Sequence, residues 1–359
     1  MNRLARLLLG LAIFVPSLTQ AADQSALERP FLVGPHYPLA YRTTTFEPDR
    51  AFNLKPGQDF LQLSYTRLNS YVYSANSDKA DNPGGDPSVF NATDSQGYSV
   101  YFDGEIDRRF FRWYHGFSEG IEIQLTYRDL RFIPGDLDAT IESFHKTLGI
   151  GNQGRDQTDR DQLAVYLYDN QTGQLVFAVT EGSSKFQRES MTLGLKFALR
   201  KTATEALAFT ISSNFNDQFI ENNINELSSG SVEHKNFNDF NYSLLYTSVF
   251  SDWALHGGVS LAQISDSTLA NGPKEMYYFF LGTDWTLSEH WHALIQALEY
   301  TSPFPEDNSS TISADVREVT LGLRLLMGPT ALEFGAIENQ SQGPQNIDIA
   351  FFSNFMFSF

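Results

Sequence analysis

Alternation between apolar and polar residues is the main pattern along this chain. In residues 190–200, which read SMTLGLKFALR, the odd positions are large and apolar, whereas the even positions are small or polar. A period of two residues is typical of a β-strand with one apolar and one polar face. The same pattern recurs in residues 98–106, 121–128 and 319–325. The sequence therefore predicts an all-β fold.

The connections between these segments predict the kind of β fold. Short connections are predicted at residues 170–173, 201–205, 251–252, 288–290 and 328–329. Longer polar stretches lie between them, at residues 74–95, 134–161, 217–236, 265–273, 303–313 and 339–344. Outer-membrane barrels alternate short periplasmic turns with long outer loops. We therefore expect a transmembrane antiparallel β-barrel of about 12 to 14 strands, with one short helix in an outer loop.

The two ends of the chain carry export and assembly signals. Residues 1–21 combine a basic start, an apolar run and small residues before Ala21, which predicts a cleaved signal peptide. A Pro-rich periplasmic segment is expected over residues 22–58 and the barrel over residues 59–359. The last strand alternates and ends on Phe355, Phe357 and Phe359. This ending resembles the signal that the barrel-assembly machinery of Gram-negative outer membranes recognises.

Charge and composition exclude several classes of protein. The chain has no cysteine and a net charge of −18, which becomes −20 once Arg3 and Arg6 leave with the signal peptide. An acidic surface repels phosphate, so nucleic acid is not expected as a partner. After the signal peptide, no apolar stretch approaches the roughly 18 residues of a membrane helix. No cofactor is expected.

Two stretches of the sequence resemble an uncharacterised family of outer-membrane barrels, the domain-of-unknown-function family 3187. One stretch is the Pro-rich start, with residues 34–39 (GPHYPL) and 55–58 (KPGQ). The other comprises Asp103-Gly104-Glu105, residues 135–145 (GDLDATIESFH) and residues 149–155. Tyr37 departs from the polar residue expected at its position in that family. The resemblance implies an outer-membrane barrel and supplies no substrate.

Charged residues are predicted on the lumen face of several strands. If the apolar positions face lipid, the lumen-lining candidates are Asp103, Glu105, Glu122, Arg128, Lys196, Asp284, Glu318, Arg324 and Glu333. Buried charges need partners or water, so the lumen holds either a salt-bridged network or a hydrated channel. Since carboxylates outnumber cations six to three in this set, an open lumen would favour cations.

One outer loop contains a predicted amphipathic helix. Its apolar positions are spaced as on one face of a helix, and a segment this short needs tertiary contacts to be stable. We expect it either to fold inward as a constriction of the lumen or to rest on the barrel rim. The constriction candidates are Leu137, Ile141, Phe144, His145 and Leu148.

The sequence presents no convincing catalytic or metal site. His256 and Ser260 share the polar face, but four residues along a strand separate them by about 13 Å. His290 and His292 give only two potential metal ligands, and a third is needed. The acidic outer loops could bind divalent cations shared with lipopolysaccharide phosphates; their residues are Asp78, Asp81, Asp86, Asp136, Asp138, Asp156, Asp159 and Asp161.

These observations lead to one preferred function and two alternatives. We expect a non-enzymatic outer-membrane channel for passive passage of small polar or amphiphilic solutes. The first alternative is a closed barrel that binds a partner or surface polymer through its outer loops, and the second is a lipid-modifying enzyme. The expected location is the Gram-negative outer membrane. The expected partners are outer-membrane lipid, lipopolysaccharide and the barrel-assembly machinery.

Overall fold

The computed structural model describes residues 26–37, 46–73, 98–149, 160–172, 174–216, 237–264, 273–304, 313–340 and 347–359. The predicted signal peptide lies outside these residues. The described elements are one helix, α1 (Asp138–Leu148), and fourteen strands: β1 (Asp59–Tyr73), β2 (Tyr98–Ser118), β3 (Ile121–Ile133), β4 (Ala164–Asp169), β5 (Gln174–Val179), β6 (Gln187–Lys201), β7 (Glu205–Asn216), β8 (Phe237–Val249), β9 (Trp253–Gln263), β10 (Glu275–Thr286), β11 (Trp291–Tyr300), β12 (Val316–Met327), β13 (Thr330–Asn339) and β14 (Ile347–Ser358).

Twelve of the strands close into an antiparallel barrel. Each of these strands pairs with its neighbour along the chain, except that β3 pairs with β6, and β1 closes the ring by pairing with both β2 and β14. The remaining two strands form the β4–β5 hairpin, which extends the sheet from the first six residues of β2. The predicted all-β barrel of 12 to 14 strands is therefore confirmed, with 12 strands in the wall and two outside it.

The short turns gather at one end of the barrel, which we call the short-turn end. Tight turns join β2 to β3, β6 to β7, β8 to β9, β10 to β11 and β12 to β13. The first of these, at Gly120 with φ of 81°, was not predicted. The turn predicted at residues 170–173 instead joins β4 to β5 at the opposite, long-loop end, because Asp169 pairs with Tyr98 at the start of β2.

The outer face of the barrel is apolar, as a lipid-facing surface must be. Leu193 and Leu195 on β6 are exposed, while their neighbours Thr192 and Lys196 are buried. The same alternation runs along β10, where Phe279 is exposed and Phe280 is buried. Among the aromatic residues of the strands, Tyr277, Trp285 and Trp291 are exposed, whereas Tyr114 and Tyr300 are buried and point into the barrel.

Helix α1 begins against the outer side of the wall. The Glu105 carboxylate on β2 accepts hydrogen bonds from the backbone amides of Asp136 and Leu137, at 2.7 and 2.6 Å. Asn69 on β1 donates to the Asp138 carboxylate at 2.9 Å. These contacts favour the predicted rim position over a constriction of the lumen. No helix among the described residues is both long and apolar enough to span a membrane.

Several predicted loop residues have no described environment. Ile141 is buried and Leu137 is half-buried, whereas the side chains of Phe144, His145 and Leu148 lie outside the description. Among the acidic loop residues, Asp136, Asp138 and Asp161 are described. Asp78, Asp81, Asp86, Asp156 and Asp159 lie outside the described residues.

The barrel is filled by the segment that precedes β1. We call residues 26–37 the first limb, residues 46–54 the return limb, and the two together the N-terminal plug. Ala26 and Leu27 lie at the short-turn end, in one cluster with Leu326 and Met356. Further along the first limb, Tyr37 lies beside Tyr300, nearer the long-loop end.

The return limb leads back to the short-turn end. There the Gly57 amide donates to the Gly116 carbonyl, and the Gly116 amide donates to the Gln58 carbonyl. A Cβ atom at residue 116 would lie 1.9 Å from the Lys55 carbonyl oxygen, so glycine allows this close approach. The plug thus enters and leaves the barrel at the same end. This differs from the predicted separate periplasmic segment, because its described residues pack against the inner wall.

Candidate functional site

The candidate site is the barrel lumen and the plug that occupies it. Aromatic contacts hold the plug against the inner wall at two places, one on each limb. Phe31 of the first limb packs edge-on against Phe352, with ring centroids 5.0 Å apart. Phe46 of the return limb contacts the rings of Tyr278 and Phe280 at 5.4 and 5.8 Å. Burial of such rings is worth several kcal/mol per side chain, at about 25 cal/mol for each Å² of apolar surface.

Arg29 joins the two limbs near the short-turn end. Its guanidinium donates to the Asp49 carboxylate at 2.9 Å and to the Ala26 carbonyl at 2.8 Å. It also stacks over the ring of Phe60, 4.1 Å from the centroid. The limbs are therefore held to each other as well as to the wall.

Asp49 also binds the wall. Its carboxylate lies 2.9 Å from Nζ of Lys196 on β6, and Lys196 lies 2.8 Å from Glu122 on β3. Glu122 in turn accepts the backbone amide of Leu54 at 2.8 Å. Burial alone would raise the pKa of the Asp49 carboxyl, but Lys196 and Arg29 lower it below its ordinary value. Asp49 therefore stays ionised in the docked plug.

Glu47 sits between two arginine side chains of the wall. Arg112 on β2 donates to both carboxylate oxygens, at 2.7 and 2.9 Å. Arg128 on β3 donates twice to Oε1, at 3.1 and 2.7 Å. Burial would raise the pKa of the Glu47 carboxyl, but the two guanidinium groups outweigh it and lower the pKa to about 2. Four charge-assisted hydrogen bonds thus anchor the return limb.

A second network lies within the wall and receives the first limb. Arg324 on β12 binds Glu333 at 2.6 Å and Asp284 at 2.5 Å, and it donates to the Arg29 carbonyl at 2.5 Å. His292 lies 2.7 Å from the other oxygen of Asp284. Arg324 therefore has wall carboxylates of its own and uses its remaining donor on the plug backbone.

Nearer the long-loop end, Glu318 binds His36, close to the last described residue of the first limb. It accepts the His36 amide at 2.8 Å, lies 3.2 Å from Nδ1 of His36, and accepts the Tyr300 hydroxyl at 2.7 Å. Arg108 binds Glu189 at 2.6 Å and donates to the Pro35 carbonyl at 3.0 Å. The plug is therefore bound by polar contacts at several levels of the lumen.

The structure places seven of the nine predicted lumen residues on the inner face. These are Glu122, Arg128, Lys196, Asp284, Glu318, Arg324 and Glu333.

Asp103 and Glu105 differ from this prediction. Glu105 lies 3.8 Å from Arg67, and Arg67 also binds Asp107. The partly exposed Tyr65 donates to the same Asp107, so this group lies on the outer side of the wall. Asp103 lies two residues before Glu105 on β2 and so faces the same side of the sheet; its carboxylate lies 3.4 Å from the Tyr101 hydroxyl. Both carboxylates are buried, and the loop before α1 covers that of Glu105.

Arg108, Arg112, Glu189 and the plug residues Arg29, Glu47 and Asp49 were not predicted. Arg108 and Arg112 occupy even positions of β2, as does the inward-pointing Tyr114. The alternation of this strand could therefore have placed both arginines on the inner face.

Two of the histidines considered from sequence, His256 and His292, have ordinary partners. His256 lies 3.1 Å from the Thr247 hydroxyl, and His292 pairs with Asp284. Ser260 bonds to Asn241 and Ser243. Within the described part of the chain, no group of three or more His, Cys, Asp or Glu side chains is arranged to hold a metal ion.

Known proteins provide the remaining evidence. The model of a family described as "Protein of unknown function (DUF3187)" matches residues 7–359. The crystal structure of the COG4313 outer membrane channel from Pseudomonas putida F1 aligns with a TM-score of 0.51 at 9% sequence identity, over 88% of this chain and 100% of that chain. The NanC porin aligns with a TM-score of 0.43 at 6% identity, over 83% of this chain and 98% of that chain. The Pseudomonas putida toluene transporter TodX aligns with a TM-score of 0.38 at 9% identity, over 92% of this chain and 95% of that chain. No curated protein matches the sequence. The first of these similarities shows that the fold is that of an outer-membrane barrel.

Proposed function

The chain belongs to the DUF3187 family of proteins of unknown function, and we propose that it is a gated channel for passive passage of small polar or amphiphilic solutes. Its location would be the Gram-negative outer membrane, reached by export and the barrel-assembly machinery, with lipid and lipopolysaccharide around it. The observation that carries the proposal is the position of the plug, which fills the lumen and whose two described limbs meet the short-turn end.

The size of the barrel supports a gated passage. Side chains alone fill a barrel of about eight strands, whereas barrels of about 16 strands leave an aqueous channel. A wall of 12 strands is intermediate, and in this protein a separate segment closes it. If the plug moved toward the short-turn end, the lumen would gain the space that both limbs now occupy.

The contacts between plug and wall also suit reversible docking. Glu47, Asp49 and the His36 amide bind the wall through ion pairs and hydrogen bonds. Polar groups on both sides of such contacts can exchange their partners for water when the lumen hydrates, so undocking is less costly than opening an apolar core. The apolar contacts of Phe31 and Phe46 keep the docked state favoured at rest.

The cation preference predicted from sequence is weakened by the structure. With Asp103 and Glu105 on the other face, the described inner wall carries six carboxylates against five cations. The carboxylates are Glu122, Glu189, Asp239, Asp284, Glu318 and Glu333, and the cations are Arg108, Arg112, Arg128, Lys196 and Arg324. Nearly balanced charge means that local sites, rather than net charge, would determine selectivity.

A reversible lock tests the proposal. The Ala51 amide donates to the Thr247 hydroxyl at 2.9 Å, so A51C and T247C together would link the plug to β8 by a disulfide. The natural chain has no cysteine to interfere. As a matched control, S64C with N354C would link β1 to β14 within the wall, since these residues are directly paired and their side chains are in contact. Single-channel conductance in planar bilayers is measured for both proteins, oxidised and reduced.

We expect the plug-linked protein to be silent when oxidised and to show openings when reduced, while the wall-linked control opens in both states. Equal conductance of the oxidised and reduced plug-linked protein would show that the plug is not the gate. Silence of every form, including a full-length Glu47→Gln variant with a weakened plug, would overturn the channel proposal.

The alternative function is a closed barrel that binds a partner through its outer loops. The observation that favours it is the near-complete burial of the charged side chains in the ion pairs between plug and wall, because buried pairs are costly to break. Silence of all forms in the lock experiment is the outcome expected of this alternative.

A further inference from the structure

We propose that Arg112 and Arg128 form a carboxylate-binding site in the open channel, and that Glu47 occupies this site while the plug is docked. The inference rests on the proposed function, because it requires the plug to leave the lumen. It identifies the class of solute that the channel would bind: a small organic molecule with one carboxylate group.

The geometry is that of a clamp around a single carboxylate. Arg112 binds both oxygens of Glu47, and Arg128 approaches from the next strand and binds one of the same oxygens. Both arginine side chains are almost completely buried. The planar guanidinium fork matches carboxylate geometry better than a lysine ammonium does, and such bidentate pairs combine strength with orientation.

The wall holds the clamp in position without help from the plug. Arg112 donates to the Gln62 side chain at 3.1 Å and lies 4.6 Å from the centroid of the Phe110 ring. Arg128 donates to the hydroxyls of Ser190 and Thr192, at 3.2 and 2.7 Å. Gln62, Phe110, Ser190 and Thr192 all belong to barrel strands. The two guanidinium groups would therefore keep their places when Glu47 departs.

Other wall cations are arranged differently. Arg108 is paired with Glu189, Lys196 with Glu122, and Arg324 with Glu333 and Asp284, all on the wall itself. Among the described contacts, the carboxylate bound by Arg112 and Arg128 comes from the plug. Undocking thus leaves these two arginines as a pair of neighbouring cations that face the lumen without a wall carboxylate. An incoming anion would relieve that unfavourable state.

A small cavity beside the clamp indicates what the rest of the solute would contact. The cavity has a volume of about 40 Å³ and lies next to Glu47 and Arg128. Its lining on β6, β7 and β8 is rich in neutral hydroxyl and amide groups: Thr192, Thr210, Ser212, Asn241 and Ser243. The Thr210 hydroxyl and the Asn241 amide nitrogen are buried without a protein partner. Hydroxyl groups of a solute could bind there, which favours hydroxylated carboxylates over purely apolar ones.

The test uses the full-length Glu47→Gln variant, in which the plug no longer brings a carboxylate to the clamp. Single-channel current is recorded in potassium chloride while gluconate, a small hydroxylated carboxylate, is added. Sorbitol, a neutral polyol of similar size, serves as the solute control. We expect gluconate to block the current at millimolar concentration and sorbitol to have no effect.

Substitutions in the same Glu47→Gln background then test the clamp itself. Arg112→Gln and Arg128→Gln should each raise the gluconate concentration for half-block at least tenfold. Arg317→Gln removes an exposed arginine that pairs with Glu299, and it should leave the block unchanged. Openings that gluconate does not block, or a block that survives both clamp substitutions, would overturn the carboxylate site while leaving the channel proposal intact.

A second readout does not depend on conductance. In a protein with natural Glu47 and a cysteine at position 51, gluconate should compete with Glu47 and speed the reaction of the plug cysteine with a soluble maleimide. Sorbitol should not. An unchanged labelling rate at saturating gluconate, together with unblocked current, would reject the site. Absence of current combined with gluconate-accelerated labelling would retain the site and reject the channel.

Discussion

Asp49 and Lys196 are in contact although 147 residues separate them in the sequence, with Nζ of Lys196 lying 2.9 Å from Oδ2 of Asp49. One residue belongs to the return limb and the other to β6. Lys196 also binds Glu122 of β3, so the plug carboxylate completes an ion triad that the wall begins. The position of the plug and the charge state of the wall are therefore linked.

Removal of the Asp49 charge should loosen the plug. Ala51 is almost fully buried in the docked plug. In an Ala51→Cys reporter protein, the rate of labelling by a soluble maleimide therefore measures how often the plug undocks. Asp49→Asn should raise the labelling rate at least tenfold, because breaking a buried ion pair costs about 3–5 kcal/mol and each 1.4 kcal/mol is a factor of ten. Asp136→Asn is the matched control, since that carboxylate is exposed and binds Arg67 on the outer side. Equal rates in the two variants would contradict a role for Asp49 in docking.

Acid should also loosen the return limb. The Glu47 carboxyl has an ordinary pKa of 4.5, which the neighbouring arginines lower to about 2 in the docked plug. A group with a depressed pKa stabilises the docked state above its undocked pKa, and this stabilisation is lost as the pH falls toward the docked value. Hydrogen exchange of residues 46–54, corrected for the intrinsic rate, should show constant protection down to about pH 4.5 and a decline between 4.5 and 2.

The Glu47→Gln variant is the control for this pH dependence. It should show weaker protection at neutral pH and a shallower decline in acid, because one of the titrating carboxyls is gone. A decline centred near pH 6.5 would instead point to histidine and would contradict the carboxylate explanation.

The apolar outer face should show a depth-dependent tolerance for charge. Leu193 lies near the middle of β6 and Leu199 near its short-turn end, and both are exposed. Leu193→Lys should destabilise the folded barrel by about 2–4 kcal/mol, while Leu199→Lys should cost about 0–1 kcal/mol, as expected at the midplane and at the interface. Urea titrations in lipid vesicles measure both values. Equal costs would mean that the membrane does not lie across the centre of β6.

Helix α1 should have no effect on passage through the barrel. Its first turn is held by Glu105 and Asn69 on the outer side of the wall. Glu105→Ala should therefore release the start of α1, seen as faster hydrogen exchange at residues 136–138, and leave single-channel conductance unchanged in a plug-weakened Glu47→Gln background. Larger current steps after this substitution would support the constriction that the sequence suggested.

The strands and much of the inner wall could be predicted because lipid imposes a local rule. Every second residue of a membrane strand must be apolar, so the exposure of Leu193 and the burial of Lys196 follow from their positions in the sequence. The rule fails at Glu105, near the long-loop end of β2, because a loop rather than lipid covers the outer side of the strand there. The odd or even position of a residue in a strand predicts which side of the sheet it faces, but the environment on that side depends on tertiary structure.

The plug could not be predicted by the same reasoning. Its anchors join residues far apart in the chain, such as His36 and Glu318, which are 282 positions apart. The alternation of apolar and polar residues cannot predict contacts between such distant positions. One signal was available: the segment before β1 carries Phe31, Tyr37 and Phe46 among its prolines, which is more aromatic surface than an exposed linker would normally leave in water. That composition indicates burial but does not identify the partner.

The order of events during biogenesis follows from where the plug lies in the chain. Its residues precede the barrel and would emerge first on export, yet their docking surface combines side chains from β2, β3, β6 and β12. That surface is complete only after β14 has paired with β1. The N-terminal segment can therefore make its full set of contacts only in a closed ring of strands, so the last strand pair to form also completes the docking surface for the first residues of the plug.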